Sequence, residues 1–111
     1  MKKVKKLWGS EEWIVNNELY CGKFINVKKK HSCSVHYHRI KDETFYILEG
    51  KISLELIGET KILKKGDSIR LKPNTVHRFT GIEDSIILEI STHHEDTDSY
   101  RVLIGGKILS E

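Results

Sequence analysis

His36 and His38 stand two residues apart in Ser34-Val35-His36-Tyr37-His38-Arg39, Glu43 follows, and His77 comes after a Lys72-Pro73-Asn74-Thr75-Val76 turn signal. In an extended strand both imidazoles of an H-x-H pair point to one face, and Cys33, Val35 and Tyr37 take the other. One inward histidine is normally a hydrogen-bonded core residue. Two together each need partners in a dry interior, where an unpaired polar group is costly. The segment 39–42 reads as a tight reversal that brings Glu43 back towards His38. Three imidazoles and one carboxylate form a mixed N/O set suited to one divalent first-row ion per chain: Mn, Fe, Co, Ni or Zn. Neutral imidazole is the commonest protein ligand near neutral pH. Four protein ligands on an octahedral ion leave two positions for water or substrate, the arrangement that supports chemistry.

Such a set must be carried by strands. Gly50, Gly58, Gly66, Asn74 and Gly81 fall at spacings of 8, 8, 8 and 7, with Ile-, Leu-, Val- and Phe-rich segments between them. Regular turn signals at this interval are the mark of an all-β sandwich or barrel. The segment Lys51-Ile52-Ser53-Leu54-Glu55-Leu56-Ile57 alternates as a half-buried strand does. Strands are expected at 19–27, 32–38, 44–49, 51–57, 60–63, 68–71, 76–80, 85–91 and 100–104. Residues 10–17 suggest a short helix with Ser10 as its N-cap and Trp13 inward. The stretch 92–98 reads as an exposed acidic loop. These elements fit one small antiparallel barrel spanning 1–111.

The 111 residues carry 19 Lys+Arg and 16 Asp+Glu, a net charge of +3. That balance does not mark a nucleic-acid binder, and the runs Lys28-Lys29-Lys30 and Lys64-Lys65 read as solvated loops. No apolar run is long enough for a membrane span, and no apolar stretch follows the basic start as a secretory signal requires. Cys21 and Cys33 lack C-x-x-C spacing, which excludes a disulfide scaffold, a zinc ribbon and a thioredoxin-type centre. The cytoplasm is the expected location.

His36-x-His38-x4-Glu43-x6-Gly50 resembles the first signature of the cupins, and Gly66, Pro73 and His77 resemble the second. The resemblance implies an antiparallel jelly-roll barrel with His36, His38, Glu43 and His77 as metal ligands. Three family positions differ: Lys28-Lys29-Lys30-His31 replaces an opening glycine, Asn74 replaces a turn glycine, and no asparagine follows His77. Asn tolerates the left-handed conformation, so the turn is expected to survive. Trp8-Gly9 and Ser34-Val35-His36-Tyr37-His38-Arg39 are similar to the cupin module of mannose-6-phosphate isomerase/mannose-1-phosphate guanylyltransferase enzymes. The chain also looks like stand-alone sugar isomerases of the D-lyxose isomerase kind.

This finer resemblance implies a metal-dependent aldose–ketose isomerase acting on a sugar or sugar phosphate through a metal-stabilised enediolate. Glu43, Glu89 and Glu55 are the candidate bases; Glu55 and Glu89 interrupt apolar strands. Arg39, Lys41, Arg78 and Arg101 are candidate substrate contacts, arginine being favoured for a phosphorylated ligand. The alternatives are an Fe(II)-dependent oxygen-activating cupin, a metal- or sugar-binding module without catalysis, and a sugar-nucleotide ketoisomerase or epimerase. His93-His94 reads as loop rather than site, Cys33 as a small buried residue, and Trp8 and Trp13 as packing or interface residues. The segments 4–15 and 100–109 can pair or swap across a two-fold homodimer.

Overall fold

The computed structural model describes residues 1–104 and 107–108, with side chains described through 102. The strands are β1 (Lys2–Lys6), β2 (Gly9–Asn16), β3 (Cys21–Val27), β4 (His36–Tyr37), β5 (Glu43–Glu49), β6 (Lys51–Leu56), β7 (Glu59–Lys64), β8 (Ser68–Leu71), β9 (His77–Gly81), β10 (Ser85–Ser91), β11 (Tyr100–Arg101), β12 (Leu103–Ile104) and β13 (Lys107–Ile108). One sheet runs β1-β2-β3-β10-β5-β8, a second runs β11-β4-β9-β6-β7, and β12 pairs with β13. All named strand pairs are antiparallel. The two large sheets enclose the core, which is the jelly-roll architecture expected.

Alternation decides what faces inward. On β3 every second residue from Cys21 to Val27 is buried, and β10 does the same from Ser85 to Ser91. Ile25, Ile87 and Ile47 lie side by side across β3, β10 and β5 and meet Trp8, Ile52, Leu54 and Phe79 in one apolar cluster. Trp8 meets Phe79 edge to face at 5.0 Å, so its role is core packing.

The turns explain much of the spacing seen in the sequence. Gly50, Gly58 and Gly66 have positive φ, and Asn74 takes the same left-handed conformation at φ 68. The Asn74 amide donates to the His38 carbonyl at 2.6 Å, tying this turn to the H-x-H strand. Gly81 lies instead within β9, where an added Cβ would stand 2.6 Å from the Lys28 carbonyl oxygen.

Two local expectations are corrected. Residues 10–17 form strand rather than helix: Gly9–Asn16 pairs with β1 on one side and β3 on the other. Edge pairing on both sides satisfies its backbone, which outweighs the weak local helix signal. The strand expected at 32–38 shrinks to His36–Tyr37, because an irregular segment precedes it with isolated bridges at Lys29 and Ser32. Of the C-terminal segment offered for pairing between copies, residues 105, 106 and 109 lie outside the described residues.

Candidate metal centre

His36 and His77 are direct cross-strand partners on β4 and β9, so their side chains leave the same face of the second sheet. His38 follows two residues later with the same parity. One ring nitrogen from each of the three histidines falls within 4.8 Å of the others. Each Nδ1 is already engaged: His36 with the Ser34 carbonyl at 2.7 Å, His38 with the Asp98 carbonyl at 2.8 Å, and His77 with the Thr75 carbonyl at 2.8 Å. A carbonyl accepts, so each Nδ1 carries the proton and each Nε2 keeps a lone pair. This outer support orients histidines that ligate a metal.

The Nε2 side is where a partner is missing. His77 Nε2 is fully enclosed and has no hydrogen bond among the described residues. Glu43 Oε2 lies 3.4 Å from the Nε2 atoms of both His38 and His77, close enough for charge interaction but not aligned as a hydrogen bond to His77. An orphaned buried acceptor is rare in a folded protein and calls for a reason. A cation among these three lone pairs supplies one, so the residues present fit a divalent ion. Burial lowers the proton affinity of all three histidines to a pKa of about 4, which keeps them neutral and available as ligands.

Beside the histidines lies a buried charge network. Lys41 Nζ donates to Glu89 Oε2 at 3.1 Å and stands 3.6 Å from Glu43 Oε1. Burial pushes the Glu43 carboxyl up to about 8, with Glu89 adding repulsion and Lys41 opposing it. A cation at the histidines would draw Glu43 back to its ionised form. For Glu89, burial works against the charge, but Lys41 and Lys23, with hydrogen bonds from Ser91 and Lys41, hold it down at about 2. Lys41 is buried too; Glu89 and Glu43 outweigh the cost of burial and hold its ammonium charged.

These groups line a cavity of about 550 Å³, within the size range of small-molecule sites. It brings together His36, His38, Glu43, Glu89, Lys41 and Arg101. Four of the expected site residues are not in its lining: His77, enclosed beside the other two histidines, and three that lie elsewhere. Glu55 and Arg78 are cross-strand partners on β6 and β9, joined by a 2.7 Å ion pair. Inward Leu54 and Leu56 flank Glu55, and inward His77 and Phe79 flank Arg78, so alternation turns both away from the cavity. Arg39 sits over the Tyr100 ring at 4.3 Å, outside the cavity lining.

The 92–98 loop is also more than a solvated stretch. Asp98 is buried and accepts the backbone N–H groups of Arg39, Ile40 and Lys41, shaping the reversal after the histidines. Burial opposes its charge, but those three N–H groups prevail and hold its carboxyl below the usual range. His94 Nδ1 lies 3.1 Å from Lys41 Nζ and its ring lines the cavity. His93 instead engages the Asn17 carbonyl and Glu95. The pattern had also hidden Glu11, Trp13 and Lys23, which form another wall of the cavity. Lys23 shares strand parity with buried Cys21, Ile25 and Val27, and that was the available signal.

The two sheets and the inward histidines define an antiparallel jelly roll with a metal-competent centre. The chain belongs to the Cupin_2 family: the model described as "Cupin domain" matches residues 23–94. An uncharacterized protein of Aquifex aeolicus is 41% identical over 69 residues, 60% of this chain and 57% of that relative. The chain therefore covers little more than half of that relative's length. The quercetin 2,3-dioxygenase of Bacillus subtilis is 41% identical over 44 residues, 40% of this chain and 13% of that enzyme. Among solved structures, an RmlC-like cupin from Shewanella frigidimarina has a TM-score of 0.78 at 21% identity, covering 86% of each chain. That likeness is one of fold.

Proposed function

We propose that this cupin is a divalent-metal-dependent enzyme, an aldose–ketose isomerase of a sugar or sugar phosphate. The observation that carries the reading is the convergence of three lone-pair histidines, two of them (His36 and His38) lining the cavity and His77 enclosed behind them, with the Glu43–Lys41–Glu89 network. His36, His38 and His77 would hold the ion, with Glu43 Oε2 as the adjoining oxygen donor. The ion, when bound, supplies Lewis acidity for a carbonyl and its neighbouring hydroxyl.

The chain's own residues supply the proton handling. Lys41 Nζ lies between two carboxylates and is a ready donor to a substrate oxygen. Once that oxygen takes one of its N–H groups, Lys41 no longer holds Glu89 so firmly in its ionised form. Glu89 Oε2 can then accept a proton from one substrate carbon and return it to the next. Ser91 Oγ, donating to Glu89 Oε2 at 2.8 Å, keeps that carboxylate in place. The Trp8-Gly9 and Ser34–Arg39 likeness to sugar-isomerase cupins supports the choice of substrate.

A second reading, an Fe(II)-dependent oxygen-activating cupin, has the local similarity to quercetin 2,3-dioxygenase in its favour. We also propose that two copies associate as a dimer and that the protein acts in the cytoplasm. The dimer is supported by Tyr46, Leu48 and Ile90, exposed on the outer face of the larger sheet. No helix among the described residues is long and apolar enough to cross a membrane.

The test is metal analysis of purified protein, followed by separate loading with Mn, Zn, Co and Fe(II). Each form is incubated with aldoses and their 6-phosphates while ketose formation and O₂ uptake are followed. Ketose without O₂ uptake is the expected result. O₂ uptake with Fe(II) alone selects the second reading, and bound metal with neither activity favours a binding module.

A further inference from the structure

The cavity extends well beyond the histidines. Its lining holds five cationic side chains, Lys2, Lys6, Lys23, Lys41 and Arg101, and four carboxylates, Glu11, Glu43, Glu89 and Asp96. A divalent ion at the histidines leaves this interior with a clear surplus of positive charge. Such a surplus in a desolvated cleft attracts an anion.

The surplus has a location. Lys41 is matched by two carboxylates, Glu43 and Glu89. Lys23, only 1% exposed, shares Glu89 with Lys41 and is less well matched. Among the described residues its one hydrogen-bond acceptor is Glu11 Oε1 at a long 3.4 Å, and that oxygen already accepts Trp13 Nε1 at 2.9 Å. An ammonium offers three donors. The Trp13 ring lies 4.1 Å from Lys23 Nζ and 4.2 Å from Nζ of exposed Lys2. Trp13, Lys23 and Glu89 are successive cross-strand neighbours on β2, β3 and β10. Lys23 thus stands two strands from β5 and its Glu43, roughly 10 Å at normal strand spacing. That separation suits a small extended ligand with one end at the histidines.

We propose that the wall formed by Lys2, Lys23 and Trp13 is a subsite for an anionic oxygen group, a carboxylate or a phosphate, on the small molecule whose other end reaches the histidine cluster. The proposal deepens the metal-centre reading and rests on it for the placement of the second end. Lys2 is the cation an incoming anion meets first, and Lys23 holds it where water is scarce. The substrate class narrows accordingly, from sugars in general to sugar acids and sugar phosphates.

The experiment is calorimetric titration of metal-free protein with inorganic phosphate and, separately, with acetate, repeated after ion loading. Binding of at least one anion by the metal-free protein is expected, and the stronger of the two identifies the group. Lys23→Gln should weaken it about tenfold while ion uptake is unchanged; Glu11→Gln, which removes the competing carboxylate, should strengthen it. No anion binding, or binding unaltered in folded Lys23→Gln, overturns the proposal. Should circular dichroism show Lys23→Gln unfolded, Lys2→Gln and Glu11→Gln decide: the first must weaken binding and the second strengthen it, and any other result overturns it. Ion content is read independently, so failure to load metal sinks the metal centre without touching the anion result.

Discussion

The barrel interior has two ends built on the same strands but with opposite chemistry. On β10, Ile87 joins Ile25 and Ile47 in an apolar row; two residues on, Glu89 lies between Lys23 and Phe45; two further, Ser91 adjoins Cys21 and Glu43. The backbone geometry hardly changes along these rows. What changes is what each inward side chain demands. The isoleucines gain stability by leaving water, whereas the lysines and glutamates lose solvation and recover it only through one another. A fold that keeps charges at one end of its core, when apolar residues would fit, has that end for binding and chemistry.

Five results would break or sharpen this contrast. The largest effect belongs to His36→Ala with His38→Ala: ion content should fall from about one per chain to near zero, with the β circular dichroism spectrum retained. One ion still bound would remove the centre from these residues. At the other end, Ile87→Ala should cost about 2–5 kcal/mol of stability by opening a cavity, read by denaturant unfolding, while ion uptake persists in the folded fraction. Loss of stability in the histidine pair and none in Ile87→Ala would reverse the assignment of the two ends.

Glu89→Gln comes next: turnover should drop on the order of 100-fold, with ion content unchanged in the same sample. Equal loss of both would make Glu89 part of the ion's support rather than the proton carrier.

A pH profile of the metal-free protein is a subtler probe. The three histidines have folded pKa values near 4 against 6.5 when unfolded, so the unfolded chain binds more protons between those values. Stability should therefore fall as pH drops from 6.5 to 4. Glu43 is raised from 4.5 to about 8, so its contribution declines as pH rises through that range. Three groups outweigh one below 6.5; above it Glu43 sets the decline, and exposed His93, its pKa raised by Glu95, acts in the same direction. The thermal midpoint should peak near pH 6.5, and a divalent ion should remove the decline above that point. A flat profile would show that these groups are not buried as described.

The smallest effect is expected from His93→Ala with His94→Ala, which should leave ion content within error of wild type. Loss of the ion would extend the centre into the 92–98 loop.

The metal end was largely legible in the sequence because strand periodicity is local. His36 and His38 share a face by spacing alone, and the glycine and Asn74 intervals mark where strands turn. The charge partners were not legible to the same degree. Lys41 reads as a candidate substrate contact after a turn with no partner in view, yet the fold sets it between Glu43 and Glu89. Asp98 reads as part of an acidic loop, yet it closes on the backbone of residues 39–41. Glu55 and Glu89 look alike in an apolar strand; one faces out to Arg78 and the other in to Lys41.

The amino-acid sequence by itself determined the all-β architecture, the family and the histidine set, since each follows from spacing within one or two strands. The tertiary structure decided which charges meet in the cavity. Those contacts join β2, β3, β5, β10 and the 92–98 loop across long sequence separations, and no local period records which strand becomes the neighbour of which.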